Sequence, residues 1–242
     1  MTAGRHDADP SGLVVAVDGP SGSGKSSVCR AVALRLGLAH LDTGAMYRAA
    51  AWWCLDRGVD LDVPDAVTAS VARMDLQMGL DPAAPTVRVG HTDVAAAIRS
   101  PAISAVVSKV AVNLDVRADL GTRQRDLIAA ERSDGHSGGR GVVVEGRDIT
   151  TVIAPDAAVR VLLTASEEAR LARRALEVHG SSDARSIAAT RDQVLRRDTD
   201  DSTVVEFRTA ADGVVTLDSS ALTLSETVEA LLSLIRAEVG ES

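Results

Sequence analysis

Aromatic residues and cysteines are both scarce in this chain. Only 2% of the 242 residues are Phe, Trp or Tyr, so the core has to be built from Val, Leu, Ile and Ala, which suits strands buried in a parallel sheet. The two cysteines, Cys29 and Cys54, form no Cys-x-x-Cys pair and stand in no His-rich spacing. They indicate neither a disulfide framework nor a metal centre, and they fit a reducing cytoplasm.

Long apolar runs and excess positive charge are also missing. No run approaches the roughly 18 apolar residues of a membrane span, and residues 1–12 are polar without an apolar signal core, so we expect a loose N-terminal tail. The net charge is −8, whereas diffuse binding to nucleic acid or to an anionic membrane depends on excess Lys and Arg. The composition therefore predicts a cytoplasmic protein, taken as a monomer, with no nucleic-acid or membrane partner.

A glycine-rich segment near the N-terminus is the most specific feature that is present. It reads GPSGSGKS over residues 19–26, between a strand-like run at Leu13–Val17 and a helix-like run at Ser27–Leu36. Glycines let backbone N–H groups wrap phosphates, the lysine reaches the β and γ oxygens, and the hydroxyl coordinates Mg²⁺. A helix N-terminus adds the positive end of its dipole. The predicted ATP-binding residues are Gly19, Ser21, Gly22, Ser23, Gly24, Lys25, Ser26 and Ser27, with Ser26 as the Mg²⁺ ligand.

Short apolar runs typical of buried strands recur along the chain and alternate with helical patterns. The runs are Leu13–Val17, Leu38–Leu41, Gly141–Val144, Val159–Leu163 and Val214–Leu217. This alternation predicts an α/β fold in which helices cover both faces of a parallel sheet. Together with the glycine-rich loop, it predicts the three-layer fold of a P-loop NTPase with a central parallel five-stranded sheet.

Two segments interrupt this alternation. Residues from about 60 to 99 contain short strand-like runs separated by turns at Asp81-Pro82 and Gly90-His91, which predicts an inserted antiparallel patch. The small polar residues of Val178–Asp183 predict a mobile flap or, equally, an ordinary helix–helix loop. We expect one domain over residues 13–240, with its core at 13–58, 118–170 and 191–240, an inserted lobe at 59–117 and a lid at 171–190.

A second motif follows the second predicted strand. It reads LDTGAMYR over residues 41–48, and ligands of open parallel sheets collect at such carboxyl ends, so it should face Lys25. A loop of form D-G-P-S-G-x-G-K-S followed by L-D-[ST]-G-x-x-Y-R resembles the bacterial cytidylate kinase family, P-loop enzymes that phosphorylate CMP and dCMP with ATP. Further segments agree in order from about residue 14 to residue 224: Ile98-Arg99, Ser108, Arg117, Glu145-Gly146-Arg147-Asp148, Arg197-Asp198 and Asp201-Ser202.

The resemblance implies a role for each matching residue. The implied substrate-binding residues are Thr43, Tyr47 and Arg48 for the acceptor nucleotide, Ser108 and Asp148 for the cytosine edge, Arg117 and Arg147 as base and phosphate clamps, and Asp201 for the sugar. The implied catalytic residues are Lys25, Arg48, Arg147, Arg170 and Arg174. The chemistry agrees, because carboxylates accept from the cytosine amino group and guanidinium groups suit phosphates. A structural partner of Arg147 or a helix cap is the alternative role for Asp148.

Three arginines near the predicted lid lie at helical spacing. Arg170, Arg173 and Arg174 are at i, i+3 and i+4, so one helix face carries all three guanidinium groups. In the resembled family this face closes over the transferring phosphoryl group. The alternative is a solvated helix on which Glu167 and Glu168 pair with these arginines.

One segment departs from the family pattern. Where D-S-x-R is usual, this chain reads Asp201-Ser202-Thr203-Val204, so valine stands where the arginine is expected. Arg208 could supply the missing charge from a displaced position. We therefore assign no family arginine here. Asp218-Ser219-Ser220, after the fifth strand, is placed to border the ATP base.

The sequence thus predicts transfer of the γ-phosphoryl group of ATP to CMP or dCMP. A kinase for another small acceptor, such as UMP or a sugar-like acid, would share the phosphate loop. A nucleotide-dependent switch is the alternative from a different class. Against a switch, the chain carries no N-K-x-D guanine-reading tetrad, and the acceptor-side arginines would have no role.

Overall fold

The computed structural model describes residues 12–203, 207 and 209–240. The predicted tail before residue 12 and the segment with Val204 and Arg208 therefore lie outside the described residues. In chain order the strands are β1 (Leu13–Asp18), β2 (Ala39–Asp42), β3 (Leu76–Gly79), β4 (Thr86–Val89), β5 (Thr92–Asp93), β6 (Gly141–Gly146), β7 (Val159–Thr164) and β8 (Val215–Asp218).

Helices fill most of the segments between the strands. They are α1 (Lys25–Leu36), α2 (Thr43–Asp56), α3 (Pro64–Val71), α4 (Pro101–Ala111), α5 (Leu114–Glu131), α6 (Glu167–His179), α7 (Ala184–Asp201) and α8 (Leu224–Val239). In the part of the chain that the structure describes, no helix is both long enough and apolar enough to cross a membrane.

The five predicted core strands form one sheet in the order β2-β6-β1-β7-β8. Every neighbouring pair is parallel, and β1 lies at the centre between β6 and β7. All six residues of β1 and of β6 are buried, as expected for strands covered by helices on both faces. The predicted parallel five-stranded sheet is confirmed.

Alternate side chains of the central strands enter two different cores. Val15 and Val17 pack with residues of α1 and α8 on one face of the sheet. Val14 and Ala16 pack on the other face with residues of α2, α4 and α5. Because successive side chains point to opposite faces of the sheet, helices cover both faces and the molecule has three layers, helix on sheet on helix. Each fully buried valine contributes about 1.5–3 kcal/mol of hydrophobic stabilisation.

The predicted antiparallel patch forms a second, three-stranded sheet in the order β3-β4-β5. Both of its strand pairs are antiparallel, and the β4–β5 turn contains Gly90 at a φ of 57°. Val87 and Val89 on β4 are buried in the same core as α2. The patch is therefore packed onto the α2 side of the molecule.

A buried carboxylate at the end of β1 fastens the chain that follows β6. Asp18 accepts hydrogen bonds from the N–H groups of Ile149 (2.9 Å) and Thr150 (2.8 Å) and from the Thr150 hydroxyl (2.7 Å). These donors belong to one π-helical turn, Ile149–Ile153. The turn immediately follows Arg147 and Asp148, so Asp18 fixes the path of the chain beside the cleft.

Replacing Asp18 by alanine should therefore destabilise the fold. Asp18→Ala leaves buried donors without an acceptor, which costs about 1–3 kcal/mol in the free energy of unfolding. Urea unfolding at neutral pH measures the change. Asp156→Ala is the matched control, because Asp156 is exposed and forms a surface ion pair with Arg132, which contributes no more than about 1 kcal/mol. Equal losses in both variants would contradict the role of Asp18.

Candidate nucleotide-binding site

The glycine-rich loop connects the end of β1 to the start of α1, as predicted. Gly24 is the N-cap of α1 at a φ of 91°, and no side chain caps the helix there. The first-turn N–H groups therefore keep their capacity to bind an anion. Gly22 has a φ of 77°, and a Cβ at this position would lie 2.7 Å from the carbonyl oxygen of Arg170. A side chain at Gly22 would force the loop away from α6.

The lysine and serine that end the loop have well-defined partners. Lys25 is 7% exposed, and its Nζ donates to the carbonyl oxygens of Gly19 (2.6 Å) and Pro20 (2.9 Å). The Ser26 hydroxyl donates to Oε2 of Glu145 at 2.8 Å. Glu145 lies near the end of β6 and so places a carboxylate beside the phosphate loop.

Glu145 and Asp42, two carboxyl groups beside the phosphate loop, have opposite pKa shifts. Burial opposes ionisation of Glu145, but the hydrogen bond and charge of His40, the charge of Lys25 and the Ser26 hydroxyl together lower its pKa. Burial and the negative charge of Glu145 raise the pKa of Asp42. Asp42 also caps α2 by accepting from the Ala45 N–H at 3.0 Å. The neighbours of Glu145 therefore favour its charged form, whereas the surroundings of Asp42 oppose ionisation.

A cleft opens beside the loop, where the carboxyl ends of β1, β2 and β6 meet. Its lining contains Ser21, Gly22, Gly24, Lys25, Ser26, Asp42, Gly44, Arg48, Arg99, Glu145, Gly146, Arg147 and Arg174. Five of these side chains are cationic and two are carboxylates. In a chain with a net charge of −8, this local excess of positive charge is suited to an anionic ligand.

Two predicted phosphate-binding arginines donate hydrogen bonds to nearby oxygens of the protein. Arg48 donates to the carbonyl of Ile98 (3.2 Å) and to the hydroxyl of Ser104 (2.9 Å). Arg147 donates to the carbonyl of Gly19 at 2.7 Å, which ties the segment after β6 to the phosphate loop. Arg99, which belongs to a matching sequence segment but was assigned no role, lines the same cleft. Its side chain is 60% exposed and lies 3.9 Å from Asp42.

Two of the predicted base-recognition residues, Arg117 and Asp148, contact each other outside the cleft lining. Arg117 on α5 forms a partly buried ion pair with Asp148 and donates to the carbonyl of Ala111 at 3.1 Å. Its guanidinium carbon lies 5.8 Å from the centre of the Tyr47 ring. Burial raises the pKa of Asp148, and the charge and hydrogen bond of Arg117 oppose that shift. Ser108 lies on α4, one turn before Ala111.

The contacts bear on the two alternatives for Asp148. Among the described residues its ion pair is with Arg117, the charge of Arg147 also opposes the rise in its pKa, and its side chain forms no helix-capping hydrogen bond. Thr43 has a different role from the other acceptor-side residues, because its hydroxyl donates to the backbone carbonyl of Glu145 at 2.7 Å and is buried. It joins the start of α2 to the end of β6.

Two of the three arginines of α6 donate to the phosphate loop, and the third lines the cleft beside it. Arg170 donates to the carbonyl of Ser21 at 2.9 Å, and Arg173 donates to the carbonyl of Ser23 at 3.1 Å. Arg174 lines the cleft. The alternative pairing within α6 is wrong for Glu167, which forms an ion pair with Arg191 of α7. Arg173 also donates to the carbonyl of Ser219 at 2.6 Å, which brings the segment after β8 to this loop.

A buried aspartate of α7 joins this network. Asp198 is 3% exposed, accepts from the Ser21 N–H at 2.9 Å and forms an ion pair with Arg170. Arg147 lies 4.0 Å away. Asp198 follows Arg197 in a matching motif, but no local pattern identifies it as the partner of a loop 177 residues away in sequence. Asp201 is the last residue of α7, and its side chain lies outside the described set.

The residues around Ser26 fit a Mg²⁺ ion bound together with a nucleotide. Among the described residues, no three His, Cys, Asp or Glu side chains form a metal cluster. Mg²⁺ in phosphoryl-transfer sites takes one or two protein oxygens and completes its shell with phosphate oxygens and water. The Ser26 oxygen, with the Glu145 carboxylate 2.8 Å from it, provides that kind of donor set.

A phosphate loop at the end of the central strand of this parallel sheet, opening into an arginine-lined cleft, defines a P-loop NTPase-type nucleotide-binding protein. The sequence model of one family within this class, described as "Cytidylate kinase", matches residues 15–237. The chain belongs to the cytidylate kinase family.

Curated relatives agree over almost the whole chain. The cytidylate kinase of Streptomyces avermitilis is 43% identical over 224 residues, 92% of each chain. That of Nocardia farcinica is 43% identical over 229 residues, which cover 94% of this chain and 95% of the relative. That of Cutibacterium acnes is 45% identical over 224 residues, with 92% and 96% covered. The resemblance predicted from the motifs is confirmed.

Removing the charge of Asp198 should loosen α7 from the phosphate loop. Asp198→Asn keeps the shape of the side chain but leaves Arg170 without its anionic partner, so we expect faster hydrogen–deuterium exchange in residues 19–24. The control is Thr199→Ala on the same helix, because Thr199 is exposed and donates only to the carbonyl of Leu195. Identical exchange in the two variants would show that Asp198 does not hold the loop.

Proposed function

We propose that the chain is an ATP-dependent (d)CMP kinase, which transfers the γ-phosphoryl group of ATP to CMP or dCMP and releases ADP and CDP or dCDP. One observation carries the proposal: a phosphate loop and the acceptor-side residues Arg48 and Arg147 line a single cleft. A site that bound only ATP would need the phosphate loop but not these two arginines. The names of the relatives, all cytidylate kinases, support the same reaction.

The proposed donor side consists of the phosphate loop and its two flanking side chains. The N–H groups of residues 19 and 21–27 bind the phosphates of ATP, and Lys25 neutralises the β and γ oxygens. Lys25 then replaces its hydrogen bonds to the carbonyl oxygens of Gly19 and Pro20 with hydrogen bonds to phosphate oxygens. Ser26 and the phosphates hold Mg²⁺, which when bound offsets the negative charge of the β and γ phosphates.

The proposed acceptor side lies across the cleft. Arg48 and Arg147 bind the phosphate of the acceptor nucleotide, since guanidinium groups form two parallel hydrogen bonds with such oxygens. Asp148 and Ser108 recognise the cytosine edge, with Arg117 and Tyr47 beside them. The Arg117 ion pair keeps Asp148 oriented and leaves its other oxygen to accept from the cytosine amino group. Thr43 supports the site by joining the start of α2 to the end of β6, and Asp201 binds the sugar.

The proposed chemistry is in-line transfer through a loose transition state. Such a reaction needs positioning and charge neutralisation more than proton transfer. The attacking oxygen of the acceptor phosphate is already anionic near neutral pH, so no general base is assigned. Arg147, Arg170 and Arg174 stabilise the charge on the transferring group. Water has to be excluded because an open site would hydrolyse ATP.

We also propose roles for the inserted lobe and the lid, and a location and an oligomeric state for the protein. The lobe at residues 59–117 binds the acceptor, and the lid at residues 171–190, which contains the loop between α6 and α7, closes over the phosphates. The protein works as a cytoplasmic monomer on small nucleotides, without a nucleic-acid or membrane partner. These assignments follow from the motif order and the composition.

A coupled ADP-release assay across CMP, dCMP, UMP and AMP tests the proposal. We expect CMP and dCMP to support the fastest release. Preference for UMP or AMP would replace the proposed acceptor, and release that is independent of any acceptor would favour a nucleotide-dependent switch. No release with any acceptor, despite ATP binding, would overturn the kinase assignment.

Lys25→Ala should lower kcat by about 100-fold or more while the fold survives, because it removes transition-state charge stabilisation. Steady-state kinetics with CMP measures the effect, and circular dichroism checks the fold. The control is Lys109→Ala, since Lys109 is the other lysine of the chain and forms an exposed ion pair with Asp62 at 2.6 Å. Near-normal turnover of Lys25→Ala would remove Lys25 from the mechanism.

Asp148→Ala and Ser108→Ala should weaken the preference for CMP over UMP by about tenfold each, since one base-edge contact is worth about 1–3 kcal/mol. The ratio of kcat/KM for the two acceptors measures this preference. The exposed carboxylate variant Asp156→Ala should leave the ratio unchanged. If Asp148→Ala and Ser108→Ala both retain the full preference, cytosine is recognised by other residues.

A further inference from the structure

A buried histidine and a buried glutamate lie side by side on neighbouring strands. β2 pairs with β6 in parallel, with His40 opposite Val143 and Asp42 opposite Glu145. Side chains two residues apart along a strand share a face, so His40 and Glu145 project to the same side of the sheet, towards α1. His40 is 6% exposed and Glu145 is 3% exposed. His40 does not line the cleft, so it is placed to act through another residue.

The hydrogen bonds of this pair lead to Ser26. Nε2 of His40 lies 3.1 Å from Oε1 of Glu145, and the Ser26 hydroxyl donates to Oε2 at 2.8 Å. We assign Nε2 as the protonated ring nitrogen of His40, which donates to Oε1 while Oε2 accepts from Ser26. The two carboxylate oxygens of Glu145 therefore bind to different elements, Oε1 to His40 on β2 and Oε2 to Ser26 on α1.

This arrangement determines what the Ser26 oxygen can do. A serine hydroxyl has one proton and two lone pairs. Because the proton is directed at Glu145, only lone pairs remain for a ligand, so Ser26 can bind a cation but cannot donate to a phosphate. Ser26 keeps this orientation only while the Glu145 side chain keeps its rotamer. The charge of Lys25 also attracts the Glu145 carboxylate. The His40 contact holds Oε1, the carboxylate oxygen that does not accept from Ser26.

We infer that His40 is a positioning residue of the proposed Mg²⁺–ATP site, where it fixes Glu145 and thereby orients the Ser26 hydroxyl for the metal. The inference rests on the proposed function, because it concerns the Mg²⁺ that accompanies ATP. It assigns the site a third, buried member that touches neither nucleotide nor metal. Removing such outer partners typically weakens metal binding by about 10–100-fold.

Three variants separate hydrogen bonding from packing. His40→Gln retains an N–H donor, and His40→Met has nearly the same shape without a donor. His40→Asn stays polar but is one methylene shorter than glutamine, so its amide falls short of Glu145. Isothermal titration calorimetry of ATP binding, without acceptor, is carried out with Mg²⁺ and with a chelator for each variant and for the unaltered chain. The ratio of the two affinities reports the metal, and thermal unfolding reports the fold.

We expect Mg²⁺ to tighten ATP binding to the unaltered chain and to His40→Gln. This gain should fall by about tenfold or more in His40→Met and His40→Asn, while binding in the chelator changes little. A full gain in His40→Met or in His40→Asn would overturn the inference, and so would an equal loss in all three variants. If one of these two variants does not fold, the other supplies the comparison with His40→Gln.

The proposed function and the inference fail in distinguishable ways. If the unaltered chain binds no ATP, the proposed function itself is wrong and the inference falls with it. If it binds ATP and phosphorylates CMP but gains nothing from Mg²⁺ in the calorimetric titration, only the inference is overturned. A change in KM for CMP that is confined to the His40 variants, with the Mg²⁺ gain intact, would likewise show that His40 acts on the acceptor side instead.

Discussion

The parallel pairing of β1 with β6 is the constraint on which the site depends. The register runs from Leu13 opposite Gly141 to Asp18 opposite Gly146, so both strands end at the same edge of the sheet. The phosphate loop follows one strand and Arg147 and Asp148 follow the other, although about 120 residues separate them. β2 adds its own carboxyl end by pairing with β6. A slip of one residue in this register would turn Glu145 towards the opposite face.

The concentrated positive charge around the phosphate loop is balanced by oxygens and carboxylates of the protein itself. The backbone carbonyls of Gly19, Ser21 and Ser23 accept from arginines of the surrounding segments. Asp198 and Glu145 supply buried negative charge on the two sides of the loop. Burying carboxylates is costly unless donors surround them, and here the donors are the loop itself and its cationic neighbours. The same groups therefore stabilise the loop and prepare it to bind an anion.

Local patterns predicted the parts of the structure that depend on neighbouring residues. The glycine-rich loop, the five apolar strands and the turns of the antiparallel patch are all encoded within short segments, and the structure contains each of them. The helical spacing of the α6 arginines also predicted correctly that they share a face. The partners of Asp148 and Glu167 could not be predicted, because Arg117 and Arg191 reach them from other helices.

The sequence by itself determined the class of fold, the phosphate loop and, through ordered motifs, the family to which the chain belongs. Those features depend on residue types at fixed spacings, which local chemistry dictates. Only the tertiary structure decided how His40, Glu145, Asp198 and Arg173 are used. Each of them contacts a partner that is distant in sequence and lies on another strand, helix or loop. Sheet register and burial determine the geometry of these contacts.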